Sequence, residues 1–561
     1  MKPDYDVVIM GGGLAGLTLS LQLKQERPET QILILEKRGE SAPTAAHKVG
    51  ESTVELGTYY LREVLDLKGY LDEKQLPKHG LRFFFSPRHK DTIEKRVELG
   101  PRERLPVPSH QLDRGTLENE LIHRSRKSGN EIILGAKVED VTLSPDTLHE
   151  VRFSTDTNKD QTVSAKWVVD ATSRHALLKR KLGFAKEIEH NVNAVWFRVD
   201  REIDVTDWSS DEKWQSFLEP GLRRLGTIHL MDKGYWVWLI PLSSGATSVG
   251  IVADGDLHPF TEINRLERAM SWMEKHEPLA HQMISPLLDH VLDFKVLKHY
   301  AHNSGRIYSA EKWAVTGESG AFLDPFYSPG TDFISMNNTW LTDLIIRDMN
   351  GESIELHASV YEKTHLALFD SWIPVYQNKY QLMGSTQIMV IKIFWDWAIY
   401  WGIPCLLFTN KGYTNLSVLK RLFSNDESAG RRFGALNNQM QKVFLEWLPY
   451  DTGDFTERYI DPFDIQFLRE FHRGIEEQFS PRELITKVEE NLEKLEKIAA
   501  EIFRLISNQV HGTPMDIPVD PYTMQLFPEE NQSLKTSIAP DKEMNEQVRV
   551  MWFYPVKETV S

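Results

Sequence analysis

Val7-Val8-Ile9-Met10-Gly11-Gly12-Gly13-Leu14-Ala15-Gly16 is the stretch whose reading decides the fold. A short β-branched run passes into G-x-G-x-x-G and then into the helical pattern Leu17 to Gln25. The first glycine of such a loop allows the tight turn, the second lets a pyrophosphate approach the backbone, and the third lets the helix pack closely on the strand. A second strand pattern, Gln31 to Leu35, ends in Glu36, about 20 residues on, where a carboxylate can accept ribose hydroxyls. Strand, loop, helix, strand and acid in this order predict a dinucleotide site. Its candidate contacts are Gly11, Gly13, Ala15, Gly16, Glu36 and the adjoining Lys37.

Outward from this unit the chain stays α/β. Gly50-Glu51-Ser52 comes next, a helical pattern follows through Leu67, and Lys78 precedes the aromatic run Leu81 to Phe85. Lys78 could snorkel at a strand start or turn its ammonium into a cavity. Gln111 stands where another helix begins, and the strand Trp167 to Asp170 exits through Ala171-Thr172, where the backbone could approach the dinucleotide again. Between about 186 and 300 the pattern alternates, as in Asn193 to Val199 and Thr247 to Val252, and predicts an antiparallel sheet. Trp236 and Trp238 fall on one face of it at strand spacing, which by itself reads as core packing. Phe322 to Thr331, with Asp324, Pro325, Ser328, Pro329 and Gly330, suits a loop laid against a flat ligand or a plain surface turn. Beyond about 350 the chain reads as helical and aromatic. Its clearest helix starts at Ser480-Pro481-Arg482-Glu483, with N-cap, Pro at N1 and capping-box Glu. The apolar face of that helix must pack within the chain or on a second copy. The expected division is a dinucleotide-binding domain over 1–185 and 301–350, a sheet domain over 186–300, and a helical region over 351–561.

Composition narrows the function. The 561 residues carry a formal net charge of −16, which disfavours nucleic acid and anionic membrane, both of which select clustered Lys and Arg. One cysteine, Cys405, excludes a disulfide framework and a cysteine-rich metal site. No basic leader precedes the first strand, so the expected location is the cytoplasm. The run Ile388 to Phe408 is apolar enough to raise the question of a membrane span, but Lys392, Asp396 and Pro404 interrupt it, which favours a buried or pocket-lining helix over contact with a membrane surface.

Three separated motifs resemble the flavin-dependent halogenases. They are the glycine fingerprint, W-x-W-x-I-P at Trp236, Trp238, Ile240 and Pro241, and F-x-x-P-x-x-S-x-G at Phe322, Pro325, Ser328 and Gly330. The resemblance implies an FAD-binding three-layer fold like that of p-hydroxybenzoate hydroxylase, with an inserted antiparallel sheet on the substrate side and a helical C-terminal extension. It also implies reduced FAD delivered by a separate flavin reductase, molecular oxygen and halide as co-substrates, and a flavin hydroperoxide that yields hypohalous acid. A lysine then directs halogen onto an electron-rich ring, while the paired tryptophans keep substrate from the flavin. Lys78 is the candidate, from its K-x-G-x-x-F context, and Lys48 the competitor. Catalytic candidates are thus Lys78, Trp236, Trp238 and Ser328. Cofactor candidates add Glu51, Ser52, Gln111, Asp170, Asp324, Pro325 and Gly330, and Gly330 and Thr331 are candidate halide amides.

Two positions depart from the pattern. Tyr327 stands where tryptophan halogenases place a glutamate, so a phenolic or pyrrolic ring, free or on a carrier protein, is the expected substrate. Pro329 has no N–H to offer a halide. A monooxygenase on the same scaffold and a flavin-binding accessory protein are the competing expectations, and monomer and homodimer both stay open.

Overall fold

A computed structural model describes residues 3–43, 50–85, 88–528 and 535–556; Lys48 lies outside them. The opening stretch forms the strand Tyr5–Met10, in the middle of a seven-stranded sheet. It pairs in parallel with Ile32–Glu36 on one side and Gln161–Asp170 on the other. Glu131–Leu134 and Trp313–Val315 extend the parallel part, and the strands His149–Ser154 and Lys137–Thr142 continue it antiparallel. Val7, Val8, Ile9 and Met10 are all buried, as the central strand of a sheet covered on both faces requires. Met10 is in register with Leu35 and Asp170, so the strand ends that carry Gly11, Glu36 and Ala171 emerge along one edge. Ligands bind at that edge in doubly wound sheets.

The alternating segments form an eight-stranded sheet, larger than expected. Val192–Val199 and Thr247–Asp254 pair antiparallel, then come Tyr235–Pro241 and Thr227–Asp232. Leu81–Phe85 joins in parallel with Thr227–Asp232, and Val97–Leu99 and the short strand Tyr459–Ile460 complete that edge. The sheet therefore draws on segments outside 186–300. Phe83, Phe84 and Phe85 are buried on both faces, which accounts for an aromatic run that does not alternate.

The C-terminal region is helical. Gly330–Met349 and Glu355–Tyr376 lead to Thr386–Tyr400, which continues through a π-helical turn, Trp401–Cys405, into Leu406–Thr409. Among the described residues Thr386–Thr409 is the one helix long and apolar enough to cross a membrane, and it is enclosed by the fold. Lys392 and Asp396, which break its apolar run, pair with each other one turn apart in the interior. Pro481–His511 carries the expected capping box. Its apolar face packs inside the chain, against Leu416–Phe423, Ala429–Trp447 and Lys542–Arg549.

Candidate active site

Two cavities meet at Pro329, which lines both. The first, of about 350 Å³, opens along the edge where the parallel strands end. Gly11 adopts φ +114°, and a Cβ there would lie 2.2 Å from the Ala171 carbonyl oxygen. A Cβ on Gly16 would lie 2.1 Å from the Gly11 oxygen. These two glycines hold the turn and the helix together. Gly13 differs, since a Cβ there would meet nothing within 4 Å. It lines the cleft and caps the helix Leu14–Glu26 without a side-chain hydrogen bond. Open backbone at a helix N-terminus is a ready site for a pyrophosphate.

The other cofactor candidates divide. Ala15, Glu51, Ser52, Asp324, Pro325, Ser328 and Gly330 line the cleft. Glu36 is half-buried at its strand end and accepts hydrogen bonds from the Gly12 and Arg38 amides at 2.6 and 2.8 Å; Lys37 is exposed. Arg198 donates to buried Glu51 at 2.9 Å, while burial pushes that carboxyl up. None of Glu36, Lys37, Gln111 and Asp170 lines the cleft. Gln111 donates to Thr227 Oγ1 and the Leu225 carbonyl, behind Ser52. The Asp170 carboxylate is spent on its own exit loop, accepting from Thr172 N, Thr172 Oγ1 and Leu178 N at 2.6–2.9 Å. Its neighbours Ala171, Ser173 and Arg174 line the cleft instead. Buried carboxylates at strand ends commonly serve loop amides, and the one-dimensional pattern carries no sign of which role wins.

Trp236 and Trp238 also line this cleft, with Trp196 and His229. Their rings are 5.6 Å apart, and Trp238 lies over Gly250, where a Cβ would come within 2.2 Å of the indole. Trp236 Nε1 donates to the Tyr380 hydroxyl at 3.0 Å. Tyr380 in turn donates to Asp324 at 2.8 Å, as do His190 at 2.8 Å and Tyr300 at 3.3 Å. This network ties the sheet, the loop and the C-terminal region to one carboxylate.

The loop itself is bent unusually. Tyr327 and Ser328 take φ +71° and +61°, left-handed conformations that cost about 1 kcal/mol or more each without glycine. They turn the chain into the helix Gly330–Met349, with Pro329 as its N-cap at φ −79°. Proline is tolerated there because the first-turn amides have no intrahelical partner to lose. The amides of Gly330 and Thr331 therefore remain. Thr331 Oγ1 is buried with no hydrogen-bond partner, an arrangement that costs free energy unless a ligand completes it.

The second cavity lies on the other side of Pro329. Lys78 lines it with Glu55, Asp332, Tyr327, Asp396 and Tyr400, among the aromatic side chains of Trp372, Trp397, Trp401, Phe433 and Phe463. At about 50 Å³ it is smaller than the roughly 150 Å³ of an apolar cavity that takes benzene, so a ring must displace part of this wall on entry. Lys78 Nζ donates to the Thr53 carbonyl at 2.7 Å. Burial pulls the ammonium down to about 7, against the fields of Glu55 and Asp332. Burial likewise pushes Asp332 up to about 8, although Tyr400 and the Gly57 amide each donate to it at 2.8 Å. Burial opposes the charge of Glu55 most strongly, but His472, 3.3 Å away, a backbone hydrogen bond and the charge of Lys78 together hold the carboxyl low.

Asp332, Glu55, Asp396 and His229 were not among the expected site residues. Asp332 is two positions beyond Gly330. Asp396 was visible only as a charge in an apolar run, which is the signal a cavity-lining carboxylate leaves.

Fold and cleft together define an FAD-dependent enzyme. Residues 4–247 match the family model described as an FAD binding domain. The flavin-dependent halogenase chlA of Dictyostelium discoideum is 27% identical over 467 residues, covering 78% of this chain and 75% of that one. A pyrrole-2-carbonyl carrier-protein chlorinase of Pseudomonas fluorescens is 25% identical, with 64% and 80% covered. Halogenase PltM, solved with phloroglucinol and FAD, superposes with a TM-score of 0.66 at 17% identity over 87% of this chain and 96% of its own. The chain is thus similar in sequence to flavin-dependent halogenases and shares the fold of a solved one.

Proposed function

We propose that this enzyme installs chloride or bromide on an electron-rich phenolic or pyrrolic ring, with Lys78 as the group that hands over the halogen. The observation that carries this reading is the buried amine of Lys78, set in an aromatic cavity that meets the flavin cleft only at Pro329. FAD, when bound and reduced by a separate reductase, supplies oxygen activation. Gly13 and the first turn of the helix Leu14–Glu26 hold its pyrophosphate, and Glu36, at the next strand end, serves the ribose once it gives up an amide. Trp236, Trp238 and His229 fill the cleft wall and keep a ring off the flavin, which disfavours direct hydroxylation. The Gly330 and Thr331 amides and Thr331 Oγ1 hold halide at a helix N-terminus. Hypohalous acid then reaches Lys78, whose free amine takes the halogen as the O–halogen bond breaks and the hydroxide leaves as water with an amine proton; the ring carbon next takes the halogen from nitrogen, and the ring proton lost restores the amine.

With reductase, NADH, oxygen and bromide, a panel of phenols and pyrroles, free and carrier-bound, should give brominated products whose yield saturates with bromide. Oxygenated products in their place would favour a monooxygenase. Thr331→Val should raise the bromide requirement about tenfold, the weight of one hydrogen bond to a charged partner. Its melting temperature should be unchanged or higher, because a buried unpartnered hydroxyl is removed. An unaltered bromide dependence would count against that halide site.

The state of Lys78 gives a pH test. Its proton is lost as pH rises through about 7, and only the free amine is nucleophilic. Halogen transfer should therefore climb from pH 6 to 8 while flavin oxidation, followed separately, does not track it. A fall over that range would assign the ammonium, as a hydrogen-bond donor, the active role.

A further inference from the structure

The Lys78 cavity contains a carboxylate on its helical wall that the mechanism above leaves unused. Asp396, on the helix Thr386–Tyr400, lines the cavity and is buried. Tyr327 donates its hydroxyl to Asp396 Oδ2 at 2.9 Å, Lys392 pairs with the same oxygen, and Gln441 Nε2 donates to Oδ1 at 2.8 Å. A carboxylate has about four acceptor sites, and these three donors leave one on Oδ1. Two further groups nearby are incomplete. Gln441 Oε1 is buried without a donor, and Trp401 Nε1, on the same cavity wall, is buried without an acceptor. Asn437, also on that wall, accepts from Trp395 Nε1 and from Gln441 at 3.1 and 3.3 Å.

We propose that Asp396 is the acceptor for a hydroxyl on the substrate ring, so that this cavity selects phenols over arenes and heteroarenes that lack one. The proposal rests on the reading that the Lys78 cavity receives the ring. Its physical basis is the bond already present, since Tyr327 shows an aryl hydroxyl donating to this carboxylate inside an aromatic enclosure. Lys392 offsets the cost of burying the carboxylate charge. A hydrogen bond from a ring hydroxyl to a carboxylate raises electron density at the ortho and para carbons, the carbons an electrophilic halogen attacks. A site built to bind a hydroxyl also rejects the analogue that lacks it, because its buried acceptor is left unpaired.

The test needs neither flavin, oxygen nor halide. 4-Nitrophenol and 4-nitroanisole are titrated into the purified full chain in a buffer acidic enough to keep the phenol's hydroxyl protonated, and quenching of tryptophan fluorescence is followed. The wild type should bind the phenol at least about tenfold more tightly than its methyl ether. Asp396→Asn should reduce that preference to about threefold or less. Because Asp396→Asn leaves Lys392 buried without its counter-ion, the double variant Asp396→Asn/Lys392→Met is measured beside it and should lose the preference as well. Tyr327→Phe should keep it. Equal binding of both probes by the wild type, a preference that survives in the two Asp396 variants, or its loss in Tyr327→Phe would each overturn Asp396 as the direct acceptor. A chain that keeps the preference yet makes no halogenated product would overturn the halogenase reading and leave this one standing.

Discussion

Lys78→Ala should reduce halogen transfer to the ring by about a hundred- to ten-thousandfold, the range expected when a nucleophile or proton-transfer group is removed. Oxidation of reduced flavin should stay close to the wild-type rate, because Lys78 lines the aromatic cavity and not the flavin cleft. The two rates, measured in one reaction by absorbance and by product mass, separate a lysine that handles halogen from one that supports the cofactor. The variant should fold. Lys78 binds its proton less tightly folded than unfolded, at about 7 against 10.5. Between these values the unfolded chain holds more protons, so stability rises with pH, and below about 7 the buried charge is a full cost. Lys78→Met should therefore be at least as stable as the wild type at pH 7. Asp332 is held mostly neutral there, and Glu55 retains His472. Equal loss of flavin oxidation and halogen transfer would remove Lys78 from the role assigned to it.

Gly11→Ala and Gly13→Val should both lose FAD, for different reasons. The Gly11 side chain would press into the Ala171 carbonyl at 2.2 Å from a backbone at φ +114°, so the strands Tyr5–Met10 and Gln161–Asp170 must separate. That variant should melt many degrees lower or accumulate unfolded. A Cβ at Gly13 meets nothing within 4 Å, and the valine methyls reach into the cleft space a pyrophosphate needs. The melting temperature of this variant should stay within a few degrees of the wild type, while FAD affinity, read by flavin fluorescence, falls about a hundredfold or more. Full FAD binding by Gly13→Val would mean that the cofactor does not cross this loop.

Much of this was legible in the sequence because the signals are local. A G-x-G-x-x-G loop between strand and helix has few structural solutions, and Ser480-Pro481-Arg482-Glu483 declares a helix start by its own chemistry. The W-x-W strand and the Phe322–Thr331 loop carried the family resemblance in short spans, and both line the flavin cleft. What was not legible depends on where distant segments meet. Leu81–Phe85 joins the substrate-side sheet through a parallel pairing with Thr227–Asp232, and nothing in its own residues names that partner. Asp170 and Gln111 look like ligands in one dimension, and only the packed chain shows their polar atoms engaged by Thr172, Leu178, Thr227 and Leu225. Glu55, Lys78, Asp332 and Asp396 come from three stretches far apart in the chain, and their shared cavity exists only once the C-terminal helices close over the loop.

The most direct test of the central claim follows both oxygen and halogen into one product. The protein is given a flavin reductase, NADH, isotopically labelled oxygen, bromide and a simple phenol, and the product is weighed by mass spectrometry. Halogenation by way of Lys78 predicts a ring that carries the paired isotope signature of bromine and no labelled oxygen, and that signature should vanish in Lys78→Ala. A ring that carries labelled oxygen and no bromine would contradict it.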